Sequence, residues 1–316
     1  MTLQQLEYIV ALHTYRSFEK AASMLGVAQP QIMVEVAKIE DELGVKIFDN
    51  SQKHLIITEI GEALIDQARS ALTHAYKVKD LVSEYHHELK GVLKVGVNPT
   101  ISNYLFPRFL GEFGIKYPQI VLEIVELPTE KIIEDLKKGD LDTGIFATPV
   151  IASGLITTPI YYESFRLLVP KDHILYKQPT VKTSDVIINE LCLLSDINCF
   201  KNQVFDLCKH GQREDLIQNL YYKSNSLESM MMLVKCGRGV TVLPELAALQ
   251  LNDEDKNMAK AFSDSNAVRE ISISMHKSYF KKRFIDRLVK EIKNSLPETM
   301  KDASGKEILN TGIYTS

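Results

Sequence analysis

Apolar residues recur at helical spacing three times within the first sixty positions. Leu3, Leu6, Val10 and His13 mark a first helix, and Phe18, Ala21, Ala22 and Leu25 a shorter second one that Ser17 is placed to cap. Gly26 breaks the pattern at a tight turn. A third helix opens at Gln29-Pro30, where proline suits the first turn, buries Ile32, Val36, Ile39 and Leu43, and ends at Gly44. Two short helices across a glycine turn predict a helix-turn-helix, whose second helix is the one that enters a major groove. Val45 to Ile57 then reads as a wing with Lys53 and His54 at its tip. From Thr58, placed as an N-cap, a long helix runs to about His87, with Leu64, Ala68, Ala71, Ala75, Val78, Val82 and Tyr85 spaced alternately by 4 and 3. That period of about 3.5 residues marks a helix packed along a partner helix, and the expectation is a dimer.

Beyond residue 90 short apolar strands alternate with helical patterns. Strands are expected at Val92–Val97, Ile120–Glu126, Thr143–Phe146, Arg166–Val169, Leu191–Leu194, Val240–Leu243 and Glu270–Met275. Helices are expected near 103–116, 130–138, 199–210, 227–236 and 279–294. This order predicts a mostly parallel sheet with helices on both faces. Two α/β lobes joined by strands near 161–166 and 264–270 resemble periplasmic-type binding proteins, which hold ligands between lobes. The expected domains are 1–58 (all-α winged helix-turn-helix), 59–90 (linker and dimerisation helix) and 91–297 (an α/β effector domain of lobes 91–163 plus 267–297 and 164–266). A polar tail, 298–316, follows Pro297 and is expected to be disordered.

Composition changes this picture little. Among 316 residues 45 % are apolar and 25 % charged, as in ordinary globular chains. No apolar run is long enough to span a membrane and the first residues lack the pattern of a signal peptide, so a cytoplasmic protein is expected. There a disulfide is more often a switch than a staple. The net charge of −4 gives no global basic footprint for nucleic acid. Residues 1–60 carry five basic and eight acidic groups, so non-specific attraction to phosphate is expected to be weak.

The run Phe18…Ala21-Ala22…Leu25-Gly26-Val27…Gln29-Pro30…Ile39-Glu40-Asp41-Glu42-Leu43-Gly44-Val45…Phe48…Leu55…Thr58-Glu59…Gly61 resembles the LysR-type transcriptional regulators, and the resemblance continues to about residue 300. It implies promoter DNA as partner, a homodimer or homotetramer, and recruitment of RNA polymerase. The DNA-facing candidates are Ser17, Gln29, Pro30, Gln31 and Lys38, with Lys53 on a wing phosphate. Departures fall on the groove side: Ala28 stands where serine is usual, Met33 and Val34 where small or polar residues are usual, and Asn50 in place of a wing arginine.

Four cysteines are present. Cys199 and Cys208 bracket the helix expected at 199–210, Cys199 at its N-terminus, where free N–H groups and the helix dipole favour a thiolate, and Cys208 on its apolar face. Nine helical residues rise about 13 Å, whereas a disulfide needs Cα atoms within about 7 Å, so the pair can bridge only if the helix opens. Cys192 and Cys236 read as core residues. Cys199, Cys208 and His210 lack a fourth ligand at any zinc-module spacing, and neither metal nor cofactor is expected.

Asn98-Pro99-Thr100, Thr129, Cys199…Gln203…Cys208, Ser226-Leu227-Glu228, Gly237…Gly239-Val240…Leu243-Pro244 and Arg269 resemble the OxyR branch of that family, the hydrogen-peroxide sensors. The resemblance implies that Cys199 is peroxidatic and Cys208 resolving, that Thr100 and Thr129 hold the peroxide, and that Arg269 favours the thiolate and polarises the O–O bond. Asn198 stands where the branch has histidine; it can hydrogen-bond but cannot take a proton. A regulator, not an enzyme, is expected. Two alternatives remain: a LysR-type regulator of a small metabolite bound between the lobes, and a thiol peroxidase with a degenerate DNA-binding head.

Overall fold

The computed structural model describes residues 1–316 apart from 50–54, 86–89, 188–189, 195–198, 209–215, 218–219, 222–223, 225, 278, 280–281 and 316. Two compact units result, one built on Met1–His87 and one on Glu88–Lys137 with Leu141–Ser316.

In the first unit, α1 (Leu3–Tyr15), α2 (Phe18–Leu25) and α3 (Gln29–Leu43) precede a two-stranded wing, β1 (Phe48–Asp49) with β2 (Ile56–Ile57), and α4 (Glu59–Tyr85). The caps are those the sequence suggests. Ser17 Oγ accepts the Lys20 N–H, and α2 and α3 end on Gly26 and Gly44, both left-handed, at φ 66° and 68°. Leu12, Ala21, Ile32, Ile39, Ile47 and Ile65 fill the core. The first half of α4 packs Ile65, Ala68 and Leu72 into this core, while Ala71 and Val78 of the expected partner stripe are exposed.

Glu40 ties α3 to the wing. Its buried carboxylate accepts the Ile47 and Phe48 N–H groups at 2.8 and 3.0 Å and pairs with Lys46 at 2.7 Å. Glu40→Ala would leave two buried amides unpaired, at a cost of about 2–4 kcal/mol. The expected result is a lower urea midpoint for this unit at unchanged slope. An unchanged midpoint would show that the tie is dispensable.

The second unit runs β3 (Gly91–Val97), α5 (Pro99–Leu105), α6 (Leu110–Lys116), β4 (Ile120–Glu126), α7 (Thr129–Lys138), β5 (Thr143–Thr148), β6 (Ile151–Ala152) and β7 (Leu155–Leu168). Then follow β8 (Thr180–Val181), α8 (Cys199–Cys208), β9 (Leu216–Ile217), β10 (Leu220–Tyr221), α9 (Leu227–Lys235), β11 (Thr241–Pro244), α10 (Glu245–Leu249), β12 (Ala259–Phe262), β13 (Ala267–His276), α11 (Lys282–Ser295), β14 (Glu307–Ile308) and β15 (Tyr314–Thr315). One nine-stranded sheet, with β4-β3-β5-β13-β7-β12-β8 as its spine, joins two lobes. β7 and β13 are the joining strands: β7 pairs with β13 along Leu155–Ser164, then with β11 and β12 along Phe165–Leu168. Among the described residues no helix is long and apolar enough to cross a membrane.

Leu43, expected on the buried face of α3, is exposed beside the terminal Gly44. Four further expectations need correction. The sheet is parallel across β4-β3-β5 and at the short β12-β8 and β13-β14 pairs, but β13 returns antiparallel to both β5 and β7 and β7 pairs antiparallel with β11 and β12, so it is mixed. The single helix expected near 103–116 is two, separated by a 3₁₀ turn, Phe106–Arg108, at Pro107, which can donate no helical N–H bond. Leu191–Leu194 is no strand; Leu191 forms an isolated bridge to Val240, flanked by Gly239, whose φ of 73° and closeness to the Glu190 carbonyl leave no space for a Cβ. The tail expected to be disordered is ordered. β14 pairs parallel with β13 and β15 with β6, and Leu309, Thr311 and Ile313 are buried.

Candidate redox site and DNA-facing helix

Arg269 on β13 and Glu163 on β7 stand opposite each other in the antiparallel register. Both side chains are essentially excluded from solvent, and Arg269 Nε donates to Glu163 Oε1 at 2.6 Å. The guanidinium also donates to Thr100 Oγ1 and to the Thr100 carbonyl, each at 3.0 Å. Thr100 lies on the first turn of α5, where Asn98 is the cap: Asn98 Oδ1 accepts both the N–H and the hydroxyl of Thr100, and Asn98 Nδ2 reaches Thr129 Oγ1 at 3.5 Å. The sequence-derived trio Thr100, Thr129 and Arg269 is thus one buried chain, with Asn98 as its connector. Glu163 Oε2 accepts the Leu246 N–H. Burial pushes the Glu163 carboxyl above the ordinary carboxylate range, with Arg269 pulling against it.

The guanidinium carbon of Arg269 sits 5.1 Å from the centre of the Phe200 ring, a cation–π contact. Phe200 follows Cys199 in α8, so the network touches the start of that helix. The expected helix at 199–210 is observed as Cys199–Cys208. Asn198 and the side chain of Cys199 lie outside the described residues. Ten helical residues keep the two cysteine backbones about 13 Å apart along the axis, beyond disulfide reach.

Cys208 is buried, and burial first, then the nearby Asp264 charge, push its thiol up to about 12. Burial pushes Cys192 up to about 11. Cys236, expected in the core, is exposed at the C-cap of α9; a helix end before Gly237 turns it outward. Iodoacetamide at pH 8 is therefore expected to label Cys236 at least tenfold faster than Cys192 or Cys208, because the thiolate is the nucleophile. Equal labelling of Cys208, read by peptide mapping, would contradict its burial.

On the first unit, Gln29 and Pro30 are exposed on the first turn of α3, and Ala28 caps it without a side-chain bond. Gln31 is also exposed, with its amide donating to Tyr8 Oη at 3.0 Å. Ser17 spends its hydroxyl on the α2 cap, and Lys38 pairs with Glu35 at 2.6 Å. Lys53 lies outside the described residues. Met33 and Val34 are half exposed, at 47 % and 52 %, and share the outward side of α3 with Ala37. The acidic surplus of this unit is partly consumed internally, since Glu40 holds the wing, Glu35 holds Gln5 and Lys38, and Glu42 holds the Met1 amine.

Glu163, Asn98 and Phe200 escaped the sequence reading as site residues. The signal for Glu163 was present: Tyr161, Glu163, Phe165 and Leu167 alternate inward along β7, which places a carboxylate in an otherwise apolar register. An inward carboxylate in a strand calls for a cation or hydrogen-bond donors beside it.

Comparison with known proteins agrees with this organisation. The model of the family "Bacterial regulatory helix-turn-helix protein, lysR family" matches residues 3–62, and that of the "LysR substrate binding domain" matches 86–297. The hydrogen peroxide-inducible genes activator of Haemophilus influenzae is 32 % identical over 250 residues, 79 % of this chain and 82 % of that one. The DNA-binding transcriptional dual regulator OxyR of Escherichia coli is 31 % identical over 248 residues, 78 % of this chain and 80 % of that one. Full-length OxyR of Pseudomonas aeruginosa, solved as a cysteine variant, superposes with a TM-score of 0.73 at 32 % identity, covering 93 % of this chain and 98 % of that one. A cysteine mutant of Corynebacterium glutamicum OxyR with hydrogen peroxide bound gives a TM-score of 0.59 at 27 % identity, over 93 % and 94 % of the two chains. The chain belongs to the LysR family of bacterial helix-turn-helix transcription regulators, and within it to the OxyR branch.

Proposed function

We propose that this protein is a DNA-binding transcription factor that senses hydrogen peroxide through Cys199 and switches by a Cys199–Cys208 disulfide. The observation that carries this reading is the placement of α8: a cysteine at each end, and Phe200 lying on the guanidinium that binds Thr100. The Cys199 thiolate attacks one peroxide oxygen, the O–O bond breaks, and the second oxygen leaves as hydroxide and takes a proton to become water. The product is a sulfenic acid. Cys208 then displaces the hydroxyl as water and forms the disulfide. Thr100 and Thr129 supply hydroxyls to the peroxide, Arg269 supplies positive charge to the thiolate and the leaving oxygen, and Asn198 supplies a hydrogen bond without proton transfer.

Closing the disulfide requires α8 to open, for two independent reasons. The cysteines are too far apart along the helix, and burial keeps Cys208 a thiol until its segment is exposed. An opened α8 changes the surface of the effector unit and with it the assembly of the dimer or tetramer paired through α4. That change re-aims the DNA-binding heads on promoter DNA and alters recruitment of RNA polymerase. Gln29 and Gln31 face base edges or phosphates, Ser17, Lys38 and Lys53 the backbone, and Pro30 sets the first turn. Met33 and Val34 offer apolar contact suited to thymine methyl groups.

Footprinting on promoter DNA tests the reading. One equivalent of peroxide is expected to change the wild-type footprint and to leave that of Cys199→Ser unchanged. A peroxide response that survives Cys199→Ser would overturn it. A second reading has one observation in its favour: a cleft of about 460 Å³ lined by Pro99, Asn103, Glu126, Ser224, Ser226, Leu227 and Glu228, where a small polar metabolite fits. A footprint that shifts with such a metabolite and ignores peroxide would favour it.

A further inference from the structure

The C-terminal segment, expected to be a loose tail, crosses the middle of α8. After Gly305 it pairs in parallel with the first residues of β13, where Leu309 N donates to the Val268 carbonyl at 3.0 Å. It then passes α8, where Gln203 Nε2 donates to the Leu309 carbonyl at 3.3 Å and Asn202 Nδ2 to the Thr311 carbonyl at 3.1 Å. Thr311 Oγ1 anchors the far side on the Pro149 carbonyl at 2.6 Å, before β15 pairs with β6. Gln203 and Thr311 are wholly buried. Gly312 has φ 71°, a left-handed conformation that favours glycine, and packs against the Asn202 side chain, with a Cβ position 2.9 Å from Asn202 Nδ2.

Asn202 and Gln203 are the fourth and fifth of the ten residues between which the disulfide must close. We propose that residues 306–313 clamp α8 in its helical, dithiol form, with Asn202 and Thr311 as positioning residues that set how readily Cys199 and Cys208 join. This rests on the disulfide reading above. Opening α8 must strip the Asn202 and Gln203 amides from their carbonyl partners, and a buried amide left without a partner is costly. The clamp therefore biases the pair towards dithiol, and losing it biases the pair towards disulfide.

The test uses the full-length reduced protein, a chain ending at Gly305, and Asn202→Ala in the full chain. Two quantities are read: amide hydrogen exchange across α8, and the fraction of Cys199–Cys208 disulfide at equilibrium with glutathione. In that equilibrium the two thiols give two electrons and two protons to glutathione disulfide, leaving one S–S bond and two glutathione thiols. Deletion is expected to speed α8 exchange about tenfold and to shift the equilibrium about tenfold towards disulfide, or about 30 mV for this two-electron couple. Asn202→Ala settles the matter if the deletion unfolds the unit. Alanine is the better helix former, so local propensity alone would slow α8 exchange, whereas the clamp requires it to quicken several-fold. Unchanged or slower α8 exchange in Asn202→Ala overturns the clamp, whether or not a disulfide forms. Faster exchange with an unmoved glutathione equilibrium also overturns it. Wild-type protein that forms no disulfide in glutathione overturns the sensor reading instead, while α8 exchange still decides whether the tail holds the helix.

Discussion

Arg269→Ala is expected to unfold about 10 °C below the wild type and to lose about a hundredfold in its rate with peroxide. The stability loss follows from burial. Arg269 and Glu163 are both excluded from water, and removing one partner of such a pair costs about 3–5 kcal/mol because the other charge stays behind. For a unit of this size each kcal/mol moves Tm by about 2–4 °C. The rate loss follows from the missing positive charge and donors beside Thr100, at the scale of losing one preorganised donor. The double variant Arg269→Met with Glu163→Leu separates the two effects. It should recover most of the stability, since no unpaired charge remains, and none of the reactivity. A double variant that regains the peroxide rate would remove Arg269 from the chemistry.

The same pair carries a pH signature. Burial already raises the Glu163 carboxyl, and Arg269→Ala removes the charge that pulls it back. A carboxyl raised by folding contributes stability below its unfolded pKa and loses it as pH rises through the folded value. The Tm gap between Arg269→Ala and wild type should therefore widen from pH 5 to pH 8. A constant gap would mean that Glu163 is not the group left exposed to the loss.

Cys208→Ser is expected to keep the first oxidation and lose the switch. Cys199 still yields a sulfenic acid, detectable by a dimedone-type probe. Without the second thiol, no bridge holds residues 199 and 208 within the roughly 7 Å that a disulfide requires and an intact helix forbids, so the helix can always re-form. The opened form of α8 should then be far less populated after peroxide than in wild type. Hydrogen exchange over residues 199–208 reads this directly. Opening as large in Cys208→Ser as in wild type would place the switch in the sulfenic acid and not in the disulfide.

Much of this architecture could be read from periodicity and caps. Ser17, Gly26, Gly44 and Thr58 bound the helices of the first unit where their chemistry says they should, because local hydrogen bonds and left-handed glycines decide those positions. The apolar runs of β3, β4 and β5 announced strands, but not their directions, and only the end of β7 was foreseen: antiparallel return of β13 is settled by pairing partners more than a hundred residues away. Thr100, Thr129 and Arg269 came from resemblance, and the buried chain through Asn98 explains physically why they stand together. Glu163 was legible only as an oddity in the inward register of β7. The tail misled because residues 298–316 are mostly polar, and burial of Leu309, Thr311 and Ile313 depends on docking against distant elements, which no local pattern encodes. Cys236 misled for the opposite reason: the helix that carries the apolar stretch ends at Lys235, one residue too soon to turn it inward.

The decisive experiment is thiol mapping by mass spectrometry after one equivalent of hydrogen peroxide, with Cys236 as the exposed internal reference. A Cys199–Cys208 disulfide is expected in the treated protein, with Cys192 and Cys236 still free and all four thiols free beforehand. Four free thiols after treatment, or a disulfide that joins any other pair, would contradict the switch.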